Sequence, residues 1–178
     1  MKMQTLGVVL ALACCGAGAA KADWEYTKWG MTPQEVLSAS KNLATAGSDL
    51  APDSDGNVSK LVAPYQSGKF SFRADFGFNA ADRLASVTLV LDDKSVEMIM
   101  DPPNMNMSNM TNMVMNMMSP GVCSDLQASL FTAYGVALHG GTNHIYGQWY
   151  WQDQKAKNNV NYTVLYDEGC FVQYSAIK

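Results

Sequence analysis

The chain has 178 residues, 48% of them hydrophobic and only 16% charged, a balance that suits one compact domain and excludes a disordered or multidomain protein. Its formal net charge is -4, and with no basic patch this excludes a nucleic-acid partner. No later stretch reaches the ~18 apolar residues of a membrane span, so no transmembrane segment is expected.

Residues 1–22 carry Lys2 at the start, an apolar run from Leu6 to Cys15, and small residues ending in Ala20-Lys21-Ala22. This pattern predicts a secretory signal peptide cut before Asp23, leaving residues 23–178 as a single exported domain, periplasmic or secreted. The alternative is a lipoprotein cut before Cys14 or Cys15, but neither has a Leu three residues before it followed by two small residues. Cleavage removes Lys2 and Lys21, which leaves 10 basic residues against 16 acidic and a net charge of -6. It also removes Cys14 and Cys15. Cys123 and Cys170 are then the only possible pair in an oxidising compartment. A bridge spanning those 47 residues stabilises by roughly 4 kcal/mol on the chain-entropy account. A free catalytic thiol is the alternative.

The clearest helix start is Met31-Thr32-Pro33-Gln34-Glu35-Val36. Thr32 can cap free backbone amides, Pro33 suits the first helical position, Glu35 completes a capping box, and Met31 with Val36 forms a hydrophobic staple. The helix is expected over 33–45, with Val36, Leu37, Leu43 and Ala44 inward and Gly47 as a stop. Asp53-Ser54-Asp55-Gly56-Asn57 resembles a calcium loop, but with Gly56 sixth the twelfth position is Val62 instead of a bidentate Glu. It is read as a turn.

A strand is expected over 58–66, turning at Ser67-Gly68. Phe70, Phe72, Ala74, Phe76 and Phe78 alternate with Ser71, Arg73, Asp75 and Gly77, the period of a strand with one buried face. The alternation resumes over 84–91, making a hairpin. Leu126, Leu130 and Tyr134 recur at four-residue spacing before Gly135, which predicts a helix over 123–134. Three more strands are expected at 146–152, 160–166 and 170–175. The order gives an α+β fold: an antiparallel sheet of about six strands with two helices on one face, built from two helix-plus-three-strand units. If Cys170 points toward the helix bearing Cys123, Val172 and Tyr174 do too, leaving Phe171 and Gln173 on the open face.

Trp29-Gly30-Met31-Thr32-Pro33-Gln34-Glu35-Val36, the Phe-rich hairpin, and the stretch from Cys123 through Tyr134-Gly135 to Trp149 and Cys170 resemble a group of small, uncharacterised exported bacterial proteins. The resemblance covers most of residues 23–178 and implies no particular activity. The Gly-Met-Thr helix opening is similar to that of small outer-membrane assembly lipoproteins. The helix-plus-sheet repeat resembles the secreted β-lactamase inhibitor proteins, although shared architecture does not transfer function.

Residues 98–118 hold nine of the twelve methionines, five asparagines and the Pro102-Pro103 break. This Met/Asn-rich segment reads as an insertion into the domain. Three readings stand: an inert low-complexity insertion of Asn-Met repeats; a soft-metal site; and an adaptable sticky surface, with Asn106, Asn109, Asn112 and Asn116 on one helical face and Met110, Met113 and Met117 elsewhere. In the metal reading Met105, Met107, Met110, Met113, Met115 and Met117 bind Cu(I) or Ag(I), because neutral soft sulfur selects soft ions.

His139 and His144, near Gly140-Gly141, provide half a zinc site at most and are read as solvated loop residues that could supplement methionines around copper. No serine lies in a nucleophile-elbow sequence. Asp92-Asp93 reads as solubilising charge, because adjacent strand carboxylates face opposite ways. In the strand from 146, Trp149 and Trp151 are expected in the core, with Tyr146, Gln148 and Tyr150 on the open face. Amphipathic rings there suit a glycan or an envelope protein. The reading that follows is a non-enzymatic exported binding or envelope-associated protein. Periplasmic Cu(I)/Ag(I) binding through the methionine segment is the alternative.

Overall fold

The computed structural model describes residues 23–47, 52–91, 120–143, 146–165 and 169–177. Residues 1–22, expected to be a signal peptide, the 98–118 segment with its six candidate thioether ligands, Asp92-Asp93 and His144 lie outside the described residues. Strands β1 (Asp23–Trp24) and β2 (Thr27–Lys28) pair as a small ribbon. Helix α1 (Pro33–Ala39) leads into β3 (Thr45–Ala46), β4 (Val58–Ser67), β5 (Phe70–Phe78) and β6 (Leu84–Leu91). Helix α2 (Pro120–Tyr134) leads into β7 (His139–Thr142), β8 (Tyr146–Asp153), β9 (Asn158–Leu165) and β10 (Gly169–Ala176). The last eight strands form one antiparallel sheet in the order β3-β4-β5-β6-β10-β9-β8-β7.

This corrects the expected sheet of about six strands. Among the described residues there are eight, and each unit is a helix followed by four strands, not three. The strands missing from the expectation are the two sheet edges, β3 and β7. They span two and four residues and every residue is exposed, so neither shows the alternation by which a half-buried strand is recognised. The α+β type holds. The chain order within each unit is a meander, and the two meanders meet where β6 pairs with β10.

The first helix starts as its sequence dictates. The Thr32 side chain accepts from the Glu35 amide at 3.3 Å, and Glu35 Oε2 accepts from the Thr32 amide at 2.7 Å, a complete capping box. It ends earlier than the expected 33–45. Lys41 and Asn42 both adopt positive φ, and Ser40 Oγ accepts from the Ala44 amide at 3.1 Å, which gives the chain a bonded alternative to another helical turn. Ala44 is buried as expected, but Leu43 is 58% exposed. The second helix stops at Gly135, whose φ is 76° and whose amide reaches the Phe131 carbonyl, the left-handed stop that glycine adopts without steric cost.

Strand register assigns the two faces of the sheet. Phe72, Ala74, Phe76, Val87, Leu89, Tyr162, Val160, Trp151 and Val172 share the helix side and are buried. Val36, Leu126 and Leu130 join the same core from the helices, and at ~25 cal/mol per Å² of apolar surface this burial is the main folding force. Cys123 at the start of α2 is bridged to Cys170 of β10, with Cα atoms 5.9 Å apart. Beside the bridge, the Tyr162 hydroxyl donates to the Cys123 carbonyl at 2.7 Å, and burial pushes Tyr162 far above its ordinary pKa. On the opposite face one row crosses all eight strands: Thr45, Val62, Asp75, Thr88, Gln173, Asn161, Tyr150 and His139.

Candidate functional site

The second unit exposes the polar and aromatic half of that row. Tyr146, Gln148, Tyr150 and Gln152 alternate on β8 with Gly147, Trp149, Trp151 and Asp153. Trp151 is 1% exposed; its ring meets Phe131 edge-on at 5.3 Å and its Nε1–H donates to the Gly135 carbonyl at 2.9 Å. Trp149 lies against Tyr162 at 5.7 Å. The tryptophans therefore anchor β8 from the helix side and turn Tyr146, Gln148 and Tyr150 outward, as the two-residue period of a strand requires.

The edge strand beside it is shaped by glycine. A Cβ on Gly140 would stand 2.3 Å from Trp149 Cδ1, and one on Gly147 would stand 2.7 Å from the same ring. Both glycines let the indole lie flat across the strands. Gly141, on the other face, would meet nothing within 4 Å. Its missing side chain leaves a concavity of about 440 Å³ walled by His139, Gly141, Tyr146, Gln148, Tyr150 and Asn161. The structure thus brings together the three residues singled out in β8, and adds His139 and Asn161 through strand register.

The polar groups are tied into a network. Gln148 Nε2 donates to Asn161 Oδ1 at 3.1 Å. The Tyr150 hydroxyl donates to Asn159 Oδ1 at 2.6 Å and receives Gln152 Nε2 at 3.0 Å. Asn159 Nδ2 in turn reaches the Ala176 carbonyl at 3.1 Å. The His139 ring stacks on Tyr150 with 23° between planes and 6.3 Å between centroids. Such bonding holds rotamers in place, so the surface presents amides, hydroxyls and ring faces in fixed positions. Tyr146 is 43% exposed and forms the rim. Neither Asn161 nor His139 carries a sequence signal for this role. Only the pairing of β9 and β7 with β8 places them there.

The first unit treats its half of the open face differently. Arg73 Nε and Nη2 clamp the Asp75 carboxylate at 2.7 and 3.0 Å, and Asp75 is 6% exposed. Asp53 acts as a clasp. Its Oδ1 accepts from the Asp55 and Asn57 amides at 3.0 and 2.9 Å, and its Oδ2 accepts from Asn57 Nδ2, Ser86 Oγ and Gln173 Nε2 at 3.0, 2.9 and 3.1 Å. Burial pushes this carboxyl up, but the donors from Asn57, Ser86 and Asp55 outweigh that and hold it below the ordinary Asp value. The segment read as a turn is therefore a turn whose first residue fastens it to β6 and β10. Among the described residues no group of three or more His, Cys, Asp or Glu is arranged to hold a metal ion, and no helix is long and apolar enough to cross a membrane.

Fold and site define an α+β domain with one sheet face covered by helices and a polar-aromatic concavity on the other. No known protein family, curated protein or solved structure matches the chain.

Proposed function

We propose that the protein is an exported, non-enzymatic binding domain that recognises a neutral glycan on the face carrying Tyr146, Gln148 and Tyr150. The observation that carries the reading is the convergence of these side chains with Asn161 and His139 on one concavity. Among the described residues no carboxylate or ammonium group is among its walls, so these walls offer little to a strongly charged ligand. Tyrosine rings offer apolar faces to the C–H side of a sugar, and the Gln148 and Asn161 amides can donate to and accept from its hydroxyls. Export rests on the signal-like pattern of residues 1–22.

The test uses Gly141. A leucine there projects into the concavity without meeting another atom within 4 Å at its Cβ. On an array of neutral and charged glycans, the wild-type protein is expected to retain a neutral oligosaccharide, and Gly141→Leu to lose at least about tenfold in affinity with an unchanged melt. Retention of a glycan by both proteins equally, or of none, overturns the reading. Capture of an envelope protein through the same face, lost in Gly141→Leu, would reassign the ligand class.

A second reading rests on thioether density: nine methionines within 98–118. Met105, Met107, Met110, Met113, Met115 and Met117 would bind Cu(I) or Ag(I), with affinity that falls in steps as they are replaced and varies little with pH, since a thioether has no proton to lose. Competition against a Cu(I) chelator, comparing wild type with leucine at all six positions, decides it. Equal affinities leave the segment without a metal role.

A further inference from the structure

On the helix side, the sheet is not filled evenly. The two turns of α1 are fastened near one end of the β5–β6 hairpin, where the Gly30 amide donates to the Leu84 carbonyl and the Leu84 amide to that of Met31. At the other end, Phe70, Phe72 and Leu89 face Leu126 and Leu130 of α2 across a cavity of about 260 Å³. That volume is close to the lower limit of small-ligand sites, ~300 Å³. Its mouth is bordered by small residues, Ser67 and Gly68 of the β4–β5 turn and Ser129 and Ala133 of α2, all exposed. Lys69, in the same turn, makes an ion pair with Asp125 of α2 and so ties turn to helix beside the opening.

One end of the cavity is polar. Tyr65, Tyr134 and Tyr174 all reach it. The Tyr65 hydroxyl is satisfied by the Glu25 carboxylate at 2.8 Å. The half-buried Tyr174 hydroxyl has a single long contact among the described residues, 3.4 Å to the Tyr134 hydroxyl. A hydroxyl with only one long partner has bonding capacity that a ligand group in the cavity could take up. The chemistry of that group is constrained. Burial raises Tyr174 and Tyr134, and it pushes Tyr65 up to about 12 with help from Glu25. An environment that resists a tyrosinate also resists an anionic head.

We propose that this cavity binds a small neutral amphiphile, its apolar body against Phe70, Phe72 and Leu126 and its hydroxyl or amide head bonded to Tyr174 and Tyr134. The open sheet face takes no part, so the site stands or falls independently of the glycan reading proposed above. The apolar body gains by leaving water, and the head is selected because an unbonded polar group in the same place is penalised.

N-phenyl-1-naphthylamine, neutral and with one N–H donor, serves as the fluorescent probe for full-length processed protein. Saturable enhancement is expected, displaced by 1-octanol at least about tenfold more effectively than by octanoate at pH 8. Ala133→Phe, at an exposed helix position, closes the mouth and is expected to weaken the probe by about tenfold or more. Ser129→Phe repeats the test should Ala133→Phe lower the melting temperature. Tyr174→Phe keeps the volume but should erase the preference for octanol over octanoate. Absence of saturable binding, or equal binding in both mouth variants, overturns the site. Equal displacement by octanoate overturns the neutral head. Sedimentation of the protein with phosphatidylcholine vesicles, lost in Ala133→Phe, overturns the assignment to a free molecule in favour of a bilayer lipid.

Discussion

The two units are built to one plan and held together by different chemistry. Along the open-face row, Val62 beside Asp75 in the first unit stands where Tyr150 beside Asn161 stands in the second, counted outward from the Thr88–Gln173 pair at the centre. The first unit closes its face with the Arg73–Asp75 clamp and the Asp53 clasp. The second leaves its own open and strengthens the far side instead, with a 15-residue helix, the Trp151 anchor and the Cys123–Cys170 bridge. A surface free to bind needs its rigidity supplied from behind, and in this molecule the covalent and aromatic fastening lies behind the concavity.

The largest effect tests that division directly. Cys123→Ser with Cys170→Ser is expected to cost roughly 3–4 kcal/mol in denaturant unfolding, since the chain-entropy account assigns that much to a loop of this length. Hydrogen exchange should quicken first in α2 while β4 and β5 stay protected. Equal loss in both halves would break the comparison.

Next is Asp53→Ala. Removing a carboxylate that accepts five hydrogen bonds leaves several donors unpaired, at about 2–3 kcal/mol. Because its folded pKa is depressed, Asp53 contributes stability fully above the unfolded value, ~3.9. That contribution is lost as pH falls from there through the lower folded value. The wild-type minus Asp53→Ala difference in urea midpoint should therefore be flat near neutrality and shrink below about pH 4. A difference that grows on acidification contradicts the clasp.

The edge strand gives a finer contrast within the second unit. Gly140→Val should cost about 1–3 kcal/mol by driving a side chain into Trp149. Gly141→Val, one residue on, should stay within about 0.5 kcal/mol because its side chain enters open space. Matching melts for the two would mean that Trp149 does not lie where the geometry puts it. The last loss expected lies in the first unit: Thr32→Ala removes the helix cap and should cost about 1 kcal/mol by thermal melt.

The parts legible in the sequence were those with a strict local rule. Strand β5 has the expected bounds and buries Phe70, Phe72, Ala74, Phe76 and Phe78 as its alternation requires, although Asp75 and Gly77 opposite them are buried too, and the cap at Thr32 and the stop at Gly135 follow from side chains within a few positions. The row Tyr146, Gln148, Tyr150 was legible for the same reason. What period and capping cannot show is a partner distant in the chain. His139 comes under Tyr150 by strand pairing, Asp53 reaches Gln173 across 120 positions, and Tyr65, Tyr134 and Tyr174 meet only after α2 closes over the sheet. The short edge strands escape because fully exposed backbone pairing leaves no hydrophobic period, and α1 stops short of the expected Gly47 because Asn42, which tolerates left-handed backbone, ends it first.

The Cys123–Cys170 bridge also bears on how the protein withstands proteases. The bonded loop contains nearly all of α2 and the whole of β7, β8 and β9. A single cut at any exposed turn within it, such as 154–157, leaves both fragments joined through the cystine and the concavity still assembled from one covalent molecule. A cut in the β4–β5 turn separates two fragments that only sheet pairing and packing hold. Limited digestion run with and without reductant should therefore yield a nicked second unit that migrates as intact until the sulfur–sulfur bond is broken.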